Sequence, residues 1–145
     1  MKKLVAVLIL FSLVFSGTET FALTGKEAAN LDLTTPCGFS AEENYGVNAL
    51  FLCAVSALES GWGKYCFRKN NIFGWSGKDF ETKAECIDFV ASKIAEHYLS
   101  EDGKYYNGKT VSGVNVFYNG NLFWEEKISG IMSMISRKIA LSEIG

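Results

Sequence analysis

The sequence is poor in residues on which several kinds of chemistry depend. It has one proline, Pro36, and one histidine, His97. So little proline beside 14% aromatic residues excludes a disordered or low-complexity chain. A lone histidine without a serine or cysteine motif nearby makes no nucleophile–base pair, so His97 reads as structural or surface. Ser60 beside Gly61 lacks the G-x-S-x-G frame of a nucleophile elbow. No C-x-x-C pair occurs, and Cys37, Cys53, Cys66 and Cys86 stand thirteen or more positions apart, which leaves zinc without a local scaffold. No metal site and no cofactor are expected. Lys and Arg are scattered rather than blocked and the formal net charge is −2. Phosphate binding needs concentrated basic residues, so nucleic acid is not an expected partner.

What is present begins with an address. Lys2 and Lys3 precede an apolar run from Leu4 to Phe15, broken only by Ser12, and a short polar tail ends at Phe21-Ala22. That order matches a secretory signal peptide over residues 1–22. The run is shorter than the roughly 20 apolar residues a membrane span needs, so no stable membrane insertion is expected after cleavage. Losing Lys2, Lys3 and Glu19 shifts the net charge from −2 to −3. All four cysteines lie beyond the cut, and an even count in an exported chain predicts at least one disulfide of open pairing. Cys53, inside an apolar run, also reads as a buried thiol. The remaining length suits one domain with a real core. We expect a lead-in over residues 23–38 and a mainly helical domain over 39–145, secreted or held in the cell envelope as a monomer.

Caps and periodicity give the elements. Ser40-Ala41-Glu42-Glu43 and Thr82 to Glu85 read as capping boxes, the second opening a helix to about Leu99. Asn48 suits the cap of a helix from Ala49 to about Ser60, apolar on nearly every face and therefore buried all round. Gly61 and Gly63 end it. Residues 64–81 read as irregular loop with a small hairpin near Gly77-Lys78. Thr110 caps a short helix to Tyr118. In the last helix, opened by Asn121, Trp124, Ile128, Ile131, Ile135 and Ile139 recur at spacings of three and four.

Glu59 does not fit a purely structural reading. It is the only Asp, Glu, Lys, Arg or His between Asn48 and Lys64, and it ends the most apolar helix beyond the signal segment. Burial and the negative end of the helix dipole would both oppose its ionisation. A carboxyl group that keeps its proton near neutral pH is what a general acid requires. The plainer alternative pairs Glu59 with Lys64 or Arg68 at an exposed helix end. Trp62, Tyr65, Phe67, Phe73 and Trp75 crowd the loop that follows. Their amphipathic rings suit the apolar faces of sugars, although some must be core.

Ala57-Leu58-Glu59-Ser60-Gly61-Trp62-Gly63, followed by Asn70-Asn71-Ile72-Phe73-Gly74-Trp75, resembles the signature of the bacterial glucosaminidase (endo-beta-N-acetylglucosaminidase) family of peptidoglycan hydrolases. Tyr45 to Leu52 is similar to that family's helix entry, and Val114-Asn115-Val116-Phe117-Tyr118-Asn119 with Trp124 and Ile128 to its closing tyrosine motif. The similarity runs from about Phe39 to Ile139. It implies a mainly α, lysozyme-like (α+β) fold with a saccharide groove, the second lobe being very short. It further implies cleavage of the β-1,4 bond after N-acetylglucosamine in peptidoglycan glycan strands, with Glu59 as catalytic acid and Tyr118 lining the cleft. Trp62, Asn71, Phe73 and Trp75 are candidate substrate contacts, although loop fixing is the plainer role for Asn71. A second acid, if present, would be Asp79 or Glu81, each more simply a loop charge; substrate assistance by the N-acetyl group is the alternative. A lytic transglycosylase using the same acid, or a glycan-binding protein without chemistry, are the rival readings.

Overall fold

The computed structural model describes residues 36–142, with nothing stated of the side chains of 36–39 and 142. The signal segment and most of the lead-in therefore lie outside the described residues. Among the described residues five α-helices follow one another: α1 Pro36–Tyr45, α2 Ala49–Ser60, α3 Lys83–Ile94, α4 Val111–Tyr118 and α5 Leu122–Ser142. The described residues contain no strand, so the architecture among them is mainly α.

The helix starts obey their caps. Asn48 Oδ1 accepts from Phe51 N–H (3.0 Å), Thr82 Oγ1 from Glu85 N–H (3.0 Å) and Thr110 Oγ1 from Gly113 N–H (3.0 Å). Each satisfies one of the amides that a helix start leaves without a partner. Glu85 returns its carboxylate to the Glu81 amide (2.9 Å), one residue earlier than a standard box. Asn121 Oδ1 takes the Phe123 amide (2.9 Å) at the head of α5. Ser40 does not act as a start: α1 already begins at Pro36, so Ser40 lies inside it. Proline is tolerated in a first helical turn, where its missing N–H would have no acceptor anyway.

Helix α2 is the centre of the molecule. It lies along α5 and against α1, while α1 packs on α3 and α4 on α5. Leu52, Ala54 and Val55 of α2 meet Val90 and Ile94 of α3 and Ile128, Met132 and Ile135 of α5 in one continuous core. Burying a side chain of this size contributes about 2 kcal/mol. Gly61, at φ +55°, turns the chain out of α2, and a Cβ there would meet the Tyr65 ring at 2.9 Å.

Three local expectations give way. The helix from Thr82 does not run regularly to Leu99; it changes at Ala95 into a π turn over Ala95–Leu99, closed by Ser100 N–H on Ala95 C=O (3.0 Å). Gly103 folds back beneath it so closely that a Cβ would come within 2.6 Å of His97 O. Around Gly77 there is a single 3₁₀ turn, Trp75–Gly77, in place of a hairpin. No disulfide forms among the described thiols: Cys53, Cys66 and Cys86 are free. Each has a local place instead, since Cys86 is wholly buried in the core beside Asn71 and the Cys66 thiol points at Gly63 O (3.7 Å). Burial pushes the Cys53 thiol up to about 12 and raises that of Cys86. Alkylation of the native protein at neutral pH, mapped by peptide mass spectrometry, should therefore modify Cys66 before Cys53 and Cys86, which become reactive only on unfolding.

Candidate active site

Four segments converge on one open cavity of about 320 Å³. The last turn of α2 supplies Glu59, and the loop after it supplies Phe73 to Ser76. The π turn supplies Tyr98, and the end of α4 supplies Tyr118 and Asn119. Among the described residues lining this space, Glu59 is the only carboxylate.

Glu59 is the one exposed residue of α2. The expected dry niche is therefore not there. The chain turns away at Gly61–Lys64 and leaves this corner of the helix facing the cavity rather than another element. Among the described residues no ion pair joins Glu59 to Lys64 or Arg68. Its partner is Trp124, whose indole Nε1–H donates to Oε1 at 3.2 Å.

The walls are aromatic. Tyr118 is the hub, with ring centroids 5.2 Å from Trp124, 5.9 Å from Tyr98 and 6.3 Å from Trp75. Tilted pairs at such distances set the negative face of one ring against the positive edge of another. Burial, reinforced by the nearby Glu59 charge, pushes the Tyr118 phenol far above its ordinary value of 10.0. The group is thus a neutral hydroxyl throughout the physiological range.

The loop carrying Phe73 and Trp75 is fixed from below by Asn71. This side chain is 2% exposed. Its Nδ2 donates to the carbonyls of Trp75 (3.0 Å) and Lys78 (2.8 Å), and its Oδ1 accepts the Trp75 amide (2.9 Å). Both amide protons are spent on backbone, so Asn71 shapes the cleft without offering a donor to a ligand. Asn70 performs a similar task, its amide reaching the carbonyls of Phe80 (3.1 Å) and Glu81 (2.7 Å). Within this web Asn70 (φ +54°) and Ser76 (φ +46°) adopt left-handed backbone, as does Trp62 (φ +65°) in the turn leaving α2. Such positions cost of order 1 kcal/mol or more each and persist where the surroundings over-determine them.

The predicted site residues are only partly brought together. Glu59, Phe73, Trp75 and Tyr118 share the cavity. Trp62 does not line it and packs instead at the edge of the core. Asp79 and Glu81 lie elsewhere: Asp79 Oδ1 accepts the Lys69 amide (3.0 Å), and Glu81 pairs with Lys69 Nζ (2.7 Å) on the exposed face of the loop. Four lining residues, Gly74, Ser76, Tyr98 and Asn119, and the Glu59 partner Trp124 are missing from the sequence-based set. Tyr98 is legible there only as a residue of the helix expected from Thr82, whereas Trp124 belongs both to the stripe of the last helix and to the closing tyrosine motif; the Tyr118–Asn119 pair was the available signal for Asn119.

Comparison with known proteins gives a direction. No family model matches the chain. Two proteins from two strains of Streptococcus pneumoniae, each named "Putative endo-beta-N-acetylglucosaminidase", are 39% identical to it over 110 residues, or 68% of this chain. Any continuous stretch of that share contains Glu59, Phe73 and Trp75. The chain spans about a sixth of the length of these curated relatives, 17% and 16% respectively.

Two outcomes test this geometry. Asn71→Ala leaves the Trp75 amide and two carbonyls without their partner in a buried setting, and should lower stability in urea unfolding by about 2–4 kcal/mol. The fold favours the neutral Tyr118 phenol, so its contribution is full below pH 10 and is lost as pH rises beyond it. Thermal melts between pH 9 and 11 should show alkaline destabilisation that Tyr118→Phe diminishes.

Proposed function

We propose that this protein is an exported cell-wall hydrolase that cuts the β-1,4 bond after N-acetylglucosamine in peptidoglycan, with Glu59 as general acid. The observation that carries the reading is the exposure of Glu59 alone on an otherwise covered helix, at the edge of an aromatic-walled cavity. The glycosidase names of the two relatives support the substrate class. Export to the envelope or medium rests on the character of residues 1–22.

In the free protein water reaches the carboxyl. A glycan seated in the cavity expels that water, and loss of solvent disfavours the charged form of an acid. Trp75, backed by the buried Phe73, offers apolar surface to a sugar face, and the neutral Tyr118 lines the same space. Glu59 then gives its proton to the glycosidic oxygen as the C–O bond breaks. Water adds to the sugar carbon, and its second proton restores the acid. Because Asp79 and Glu81 are occupied with Lys69 outside the cavity, we assign the partner role to the substrate's own N-acetyl group rather than to a second carboxylate. A transglycosylase would use the same acid with a sugar hydroxyl in place of water.

The decisive experiment is digestion of purified peptidoglycan with mass analysis of the released ends. Wild-type protein should yield reducing N-acetylglucosamine ends, and Glu59→Gln should lose activity by roughly 10³-fold or more, as expected when the only proton donor is removed. Anhydro-sugar ends would identify the transglycosylase. Undiminished digestion by the Gln variant would remove Glu59 from the chemistry, and binding without cleavage by the wild type would leave a wall-binding protein.

A further inference from the structure

The hydrogen bond from Trp124 to Glu59 has a consequence for where the acid's proton sits. An exposed glutamate at a helix end ordinarily samples several rotamers. Here one oxygen is tied to a group that scarcely moves. Trp124 is 5% exposed, its indole meeting Phe51 edge-on at 6.4 Å and Tyr118 at 5.2 Å. Its backbone is fixed as well: Asn121 caps α5 through the Phe123 amide, and buried Asn115 on α4 donates from Nδ2 to Asn121 O (2.9 Å), joining the two helices at the turn between them.

The indole nitrogen can only donate. Of the two oxygens of a carboxylic acid, the carbonyl oxygen is the better acceptor. We propose that Trp124 is a positioning residue: it holds Oε1 of Glu59 as a permanent acceptor, so the transferable proton is confined to Oε2 and the carboxyl group keeps one orientation toward the cavity. After transfer, the same N–H faces the carboxylate that remains, and proton return to Oε2 resets the group. No bond to Trp124 forms or breaks. This inference rests on the assignment of Glu59 as the acid, and it concerns only how that acid is presented. The titratable side chains facing Glu59 across the cavity are the phenols of Tyr98 and Tyr118, both raised by burial, so neither interferes near neutral pH.

Trp124→Phe removes the donor and keeps most of the ring. With peptidoglycan as substrate, kcat should fall on the order of 10- to 100-fold, the range that loss of orientation produces, while KM stays within about twofold. Donation to a carboxylate favours its charged form, so the alkaline limb of the pH–rate profile should move to higher pH in this variant. Phe51→Leu loosens the same packing but leaves the N–H, and should keep the wild-type profile. A second measurement needs no change at Trp124. In ¹⁵N-labelled protein the Trp124 indole resonance, assigned with Trp62→Phe and Trp75→Phe, should shift as Glu59 titrates, and Glu59→Gln should abolish that shift. If wild type cleaves and Glu59→Gln does not, yet Trp124→Phe keeps wild-type kcat and profile, the positioning role is wrong while the acid assignment stands. If wild type fails to cleave, the acid assignment falls, and an indole resonance indifferent to pH would overturn the positioning role separately.

Discussion

With Ala54 and Val55 wholly hidden and nearly every neighbour buried or half-buried, α2 presents water with nothing but its C-terminal corner, and the remaining helices are obliged to wrap the rest. That one constraint organises the molecule. It places α5 along α2, sets α1 on another flank, and leaves only the C-terminal corner of α2 uncovered. A charged side chain could be accommodated on this helix only at that corner, where Glu59 stands. The acid's location thus follows from the insolubility of the helix that bears it.

Around this corner the sequence solves a different problem, the holding of an irregular loop without sheet or disulfide. Asn71 does so by substituting a side-chain amide for missing backbone partners, satisfying three main-chain groups at once. Polar groups buried in this way are worth most when fully satisfied and costly when not. Ser60 contributes from the other end, donating to Ser56 O (2.8 Å) and accepting the Gly63 amide (2.9 Å), so the turn leaving α2 is fixed by the helix's own last residue. Lys83 adds a long reach from α3 to Gly63 O (3.3 Å).

Helix starts were legible because a capping side chain and its target amide are three residues apart, within view of a local reading; Asn48, Thr82 and Thr110 all act as their positions suggest. Ser40 misled for the same reason, since a local pattern cannot reveal that Pro36 has already begun the helix. The π turn was invisible: Ile94 and Tyr98, four residues apart, suit an α-helix equally well, and only the Ser100 N–H reaching back five residues to Ala95 C=O shows the change. The exposure of Glu59 was likewise a tertiary matter. Its helix predicted burial, and what decided otherwise was the absence of any covering element at one corner. Asp79 and Glu81 could be placed near the site by sequence distance alone, yet their bonds to Lys69 hold them elsewhere.

The π turn ties two distant-looking parts of the chain together. Tyr105 N–H bonds to His97 O (2.8 Å), and the Tyr105 ring lies 5.2 Å from that of Tyr98, which forms one wall of the cavity. The bend between residues 100 and 108 therefore packs directly on the side chain that forms this wall. A change in the length or stiffness of this bend would act on that wall alone, because Glu59 and its indole partner Trp124 stand on α2 and α5.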